Sequence, residues 1–211
     1  MTIAKLRIKL SSMKFPIFFV LSACALSLSA CSESFTDPRD GQSYDVVKIG
    51  DSTWMAENLN FETAMSVCPE NDSRNCKRMG RLYSWVEAKS VCPEGWRLPT
   101  RADFESLIAS ADGSGVVLKA RDGWFKKGNG SDALGFKALP AGYGFANVAA
   151  SGPASSNKFD GIGGYAYFWS ATEDSENRES NAYYLFLSFS NDAASLNAFA
   201  KEDYRSVRCV R

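Results

Sequence analysis

Residues 80–100, which read GRLYSWVEAKSVCPEGWRLPT, constrain the fold more than any other stretch of the chain. Ser84 and Glu87 have capping-box spacing, so a helix is predicted to start at Trp85. Trp85, Ala88 and Cys92 then share one helix face. Pro93 stops the helix and Gly95 permits a turn. Trp96 and Leu98 alternate with Arg97, as in a strand that turns both apolar side chains inward. Thr100 and Asp103 repeat the cap spacing, and Phe104, Leu107, Ile108 and Ala111 give the next helix an apolar face. Two short helices packed on small antiparallel sheets with long loops, an α+β architecture, is the expected result.

The flanking segments fill in that picture. Residues 44–49 and 52–55 are β-rich on either side of Gly50-Asp51 and predict a hairpin, with Trp54 as a core anchor. Residues 60–79 look irregular. Val116 to Leu118 reads as a short strand, and Trp124 falls in a loop. From Gly144 to Gly164 the chain turns to Gly, Ala, Ser and Asn without a useful period. A loop of that length inside a domain is uncommon and often functional. Asn181 to Ser190 reads as a central buried strand, followed by a turn at Asn191-Asp192. In the last segment Val207 and Cys209 share one face, while Ser206 and Arg208 point the other way.

The first thirty residues have a different character. They carry Lys5, Arg7, Lys9 and Lys14 and no acid. An apolar run from Phe15 to Leu28 follows, ending in Leu28-Ser29-Ala30-Cys31. This is the layout of a signal peptide over residues 1–30, too short for a spanning helix, which needs about 20 apolar residues. Leu-Ser-Ala-Cys resembles the lipobox of bacterial lipoproteins, which implies lipidation, including palmitate, at Cys31. Ser32 resembles the residue that sends such proteins to the outer membrane. Residues 31–41 read as a lipidated N-terminus and flexible tether, and 42–211 as one domain.

Beyond the leader, 20 bases stand against 24 acids. That balance lacks the basic footprint of a nucleic-acid binder. The chain has no histidine, which excludes His-based triads, His metal ligands and His acid–base catalysis. Acids are plentiful, but no pair has a spacing that predicts a shared hydrolytic cleft. Besides Cys24 and Cys31, four cysteines remain, and an even number in an exported chain points to disulfides. Four cysteines allow three pairings. Cys68–Cys76 would close a short local loop, and Cys92–Cys209 would tie the first helix to the last strand. A metal site lacks both a C-x-x-C pair and a histidine.

Several ordered motifs carry a family resemblance. They are Thr53 to Asn60, Gly80 to Trp85, Cys92 to Thr100, Gly135 to Tyr143, Phe168 to Thr172 and Ser206 to Cys209. Together they resemble the Fibrobacter succinogenes major paralogous domain, and more distantly the C-type lectin-like fold. The resemblance implies a bridge from Cys92 to Cys209 and a binding site in the loop region before the final strands. The motifs of calcium-dependent sugar-binding lectins are absent, so no metal or cofactor is expected.

The functional expectation is a lipid-anchored cell-envelope binding module, not an enzyme. Its partners are the membrane, through the lipid, and an extracellular polysaccharide or surface protein. The candidate ligand-binding residues are Trp124, Tyr143, Phe145, Asn157, Asp160, Tyr165 and Tyr167, which lie in or beside the Gly-rich stretch. An exposed ring there could stack on a sugar or on a partner's side chain. The alternatives are a surface-assembly lipoprotein without a small ligand and a carboxylate-based hydrolase.

Overall fold

In the computed structural model, which describes residues 33–146 and 158–211, both capped helices form where their sequences place them. Helix α2, Trp85–Val91, is N-capped by Ser84, whose hydroxyl accepts from the Glu87 amide at 3.5 Å. Helix α3, Arg101–Ser110, starts with a full capping box. There the Thr100 hydroxyl accepts from the Asp103 amide, and the Asp103 carboxylate accepts from the Thr100 amide at 2.7 Å. Arg97 adds a bidentate pair to Asp103 at 2.6 and 2.9 Å. Between the helices Trp96 and Leu98 are buried while Arg97 faces outward, and Arg97 bridges to Val210.

The described residues form one compact unit. Strands β1 (Ser34–Thr36), β2 (Ser43–Ile49) and β3 (Ser52–Met55) make a small antiparallel sheet. The larger sheet has seven strands. Its path runs β4 (Leu82–Ser84), β10 (Tyr204–Ser206), β5 (Ala141–Gly144), β7 (Tyr165–Glu173), β8 (Asn181–Ser188) and β9 (Asn191–Ala200), with β6 (Phe159–Ile162) added to β5. It is mixed, because β5 and β10 run parallel to β7 and the other pairs are antiparallel.

Alternation along β7 and β8 fixes what each face does. Ala166, Phe168, Leu185 and Leu187 point to one side and are buried with Phe104 and Leu107 of α3. Trp54 joins this core, its ring 5.5 Å from Phe104 and 5.6 Å from Phe136. A second core gathers Trp85, Ala88, Trp96, Leu98, Tyr83, Trp169 and Val207. Disulfides Cys92–Cys209 and Cys68–Cys76 are both formed.

The structure departs from the sequence reading in six places. Residues 116–118 belong to a helical turn, α4 (Gly115–Leu118), closed by the Lys119 amide on the Gly115 carbonyl. Lys119 itself is buried and donates from Nζ to the Ser188 carbonyl at 3.0 Å, which fastens α4 to the β8–β9 hairpin. The stretch 60–79 ends in helix α1, Ser73–Met79, capped by Asp72. The expected tether is folded from Ser34: β1 pairs with β2, and the buried Asp37 carboxylate grips Arg39. The long loop contains β6. The hairpin turn is Phe189-Ser190, so Asn191 opens a strand. Finally, Ser206 and Arg208 are buried just as Val207 and Cys209 are, because the terminal segment is covered on both sides. The leader, Cys31 and Asn157 lie outside the described residues.

Candidate functional site

The face of the larger sheet that turns away from α3 is aromatic. On β7 it presents Tyr165, Tyr167 and Trp169. The β7–β8 register sets Phe186 opposite Tyr167 and Tyr184 opposite Trp169. On the other side of β7, Gly142 pairs with Ala166, which brings Tyr143 to 5.1 Å from Tyr167, centroid to centroid. Phe145 follows at 4.9 Å from Tyr143. At the far end Tyr165 contacts Phe186 at 5.7 Å and Phe189 at 5.8 Å, and Phe189 meets Phe125 at 6.5 Å. The tyrosines are half-buried, while Phe145 and Phe125 are 40% and 54% exposed.

The rings interlock instead of lying flat. Tyr143–Phe145 and Tyr143–Tyr167 cross at 63°, and Tyr167–Phe186 at 42°. Tyr165 and Phe186 alone among these approach parallel, at 25°. Edge-to-face contacts of this kind each contribute about 0.5–1.5 kcal/mol beyond burial, so the mosaic is held in place without a ligand.

A buried cation lies beneath it. Arg205 on β10 is 2% exposed, and its guanidinium carbon sits 4.2 Å from the Trp169 ring, 4.6 Å from Tyr184 and 5.8 Å from Tyr143 and Tyr167. Asp203 accepts from it at 3.2 Å. Burial lowers the Arg205 pKa and raises that of Asp203, each partly countered by the other. Burial also raises Tyr143, Tyr167 and Tyr184, so these hydroxyls stay protonated and can both donate and accept at neutral pH.

A family model described as the Fibrobacter succinogenes major domain matches residues 47–211. The chain belongs to that family. Comparison with curated proteins and with solved structures finds no match. In this Fibrobacter succinogenes major domain every ring of the mosaic lies within the matched span, whereas β1 precedes it.

Of the residues singled out from sequence, Tyr143, Phe145, Tyr165 and Tyr167 come together on this one face. Asp160 is exposed on β6, directly opposite Tyr143. Trp124 does not join them. It is 6% exposed, packed in the α3 core, and its indole donates to the Ala138 carbonyl at 3.1 Å, so no ring face is left for a ligand. Asn157 lies outside the described residues. Sequence reasoning missed Tyr184, Phe186, Phe189 and Phe125. The signal for the first two was their i, i+2 spacing in β8, masked by a run so apolar that it read as buried on both faces.

Beside the Tyr165 end lies a groove of about 410 Å³ lined by Phe125, Phe159, Asp160, Tyr165, Phe189 and Glu70. Glu70 arrives on the Cys68–Cys76 loop, whose residues Glu70 and Asn71 take left-handed backbone conformations at φ 57° and 53°. Among the described residues no cluster of three or more acidic or cysteine side chains has the makings of a metal site.

Proposed function

We propose that this chain is a lipid-anchored cell-envelope binding module of C-type lectin-like architecture, whose aromatic sheet face recognises an extracellular glycan. The observation that carries the reading is the continuous run of half-exposed rings across β5, β7 and β8, with the groove at its end. Such rings offer apolar surface to a sugar's C–H face, while the tyrosine hydroxyls and the exposed Asp160 offer polar contacts to its hydroxyls. The basic and apolar leader and Leu28-Ser29-Ala30-Cys31 support the anchor and an outer-membrane destination. Binding without turnover is the activity assigned to this face.

The anchor is tested by labelling cells with an alkyne fatty acid. Label on the wild-type chain and none on Cys31→Ser is expected; equal label on both contradicts the anchor. The glycan is tested by retention on immobilised polysaccharides, with Tyr165→Ala expected to lose it. A second reading, docking of a surface protein in envelope assembly, draws on the tilt of the rings, which suits side chains of varied shape. Retention by envelope proteins and by no polysaccharide would favour that reading.

A further inference from the structure

We infer that strand β9 is an assembly edge, pairing antiparallel with β9 of a second copy of this chain to join the two larger sheets. This inference does not depend on what the aromatic face binds. β9 is ten residues long and ends the sheet, with β8 as its strand neighbour. Its first part is closed off: Ser114 bridges to Ala193, and the Ala194 amide donates to the Gly113 carbonyl at 2.9 Å. From Ser195 to Phe199, among the described residues, the backbone pairs with β8 and with no other segment. Half of the amides and carbonyls in that stretch therefore face outward.

An exposed edge of this kind templates further pairing, and folded proteins ordinarily blunt it with lysine, proline, a bulge or a covering loop. Residues 193–200 read AASLNAFA, without a charge or a proline. Phe199 is 57% exposed on the same strand. The segment is also self-complementary. In an antiparallel register centred on Asn197, Asn197 meets its own copy, Leu196 meets Ala198 and Ser195 meets Phe199. Large side chains thus face small ones and no like charges oppose. A second copy fits this edge better than an acidic or basic peptide, for which it has no charge to offer.

The two-fold axis would stand perpendicular to the sheet. Asn197 and Phe199 lie on the ring-bearing face, since they pair with Tyr184 and Ala182. Both aromatic faces would then point the same way, making one platform of doubled width. Five residues of strand bury less than the area of a standard stable interface, so the association is expected to be weak and concentration-dependent.

Cysteine cross-linking of the full chain in cell envelopes tests this inference. Asn197→Cys is expected to yield a dimer band that collapses on reduction, and Glu105→Cys on α3 no such band. In parallel, sedimentation of the detergent-extracted chain should show a monomer–dimer equilibrium. Asn197→Lys should shift its midpoint upward about tenfold or more, because like charges then meet at the axis, and mixing Asn197→Lys with Asn197→Glu should restore the dimer. Cross-linking no stronger at 197 than at 105, or a midpoint insensitive to Asn197→Lys, would overturn the inference.

Discussion

Arg208 shows how a single buried charge is tolerated. It is fully buried, and burial pulls its pKa down to about 9, yet among the described residues no carboxylate pairs with it. Its guanidinium instead donates to the carbonyls of Met55, Phe136 and Lys137 and to Asn58 Oδ1, and it lies over the Phe136 and Phe168 rings. Arg208→Met relieves the desolvation but orphans these acceptors, each costing about 1–3 kcal/mol. The second effect wins, and we expect a loss of about 3 kcal/mol, or roughly 10 °C in melting temperature. An unchanged melting temperature would show that the acceptors find water. Asp103 gives the acid limb. Hydrogen bonds from Arg97, then Thr100, hold its carboxyl down to about 2, against an ordinary 3.8. A depressed carboxylate stabilises fully above its unfolded pKa and loses that contribution as pH falls through the folded value. Stability should therefore drop between about pH 4 and pH 2, and melting curves of Asp103→Asn should be flatter than wild type across that window. The role of Asp103 was only partly legible in the sequence, and that of Arg208 not at all. The cap spacing marked Asp103 as local, but the Arg97 partner depends on where the strand runs, and Arg208 looked like the exposed face of a terminal strand.

The elements of residues 80–110 were legible because their signals are local: a hydroxyl three residues before an acid, a proline after a cysteine, an apolar face at helical spacing. The helix at 115–118 was not, since Val116 and Val117 favour strand and what holds the turn is tertiary. A Cβ on Gly115 would meet the Ala193 carbonyl at 3.1 Å, and Lys119 reaches across to Ser188. β9 was hidden for a similar reason, because small residues without alternation become a strand only when β8 supplies the partner. Cys92–Cys209 joins α2 to the terminal segment across 117 residues, whereas Cys68–Cys76 spans 8. On chain entropy the first is worth about 5 kcal/mol and the second about 2.5 kcal/mol. Chemical denaturation of the paired alanine variants should rank them in that order. Equal losses would mean that the short loop contributes through its packing on β5 and β6 and not through chain entropy.

On the scale of the whole molecule, one stretch acts as scaffold and another as the face it presents. Residues 80–100 supply Trp85, Trp96, Leu98 and Cys92 to a core that reaches under Trp169 and fixes β7. With β7 fixed, its even positions fill the α3 core and Tyr165 and Tyr167 open to the other side. The sequence marked those tyrosines only by their closeness to a Gly-rich stretch. That they form one surface with Tyr184 and Phe186 follows from strand order, which no local pattern encodes. The most direct test of the account is the affinity for a retained polysaccharide, measured by titration calorimetry on the wild-type chain and on Tyr165→Ala, Phe186→Ala and Trp124→Phe. The first two, which remove rings from the exposed face, should weaken binding about tenfold each, equivalent to about 1.4 kcal/mol. Trp124→Phe, a change within the core, should leave affinity unchanged. Full affinity in both sheet-face variants would contradict the assignment of this face as the binding surface.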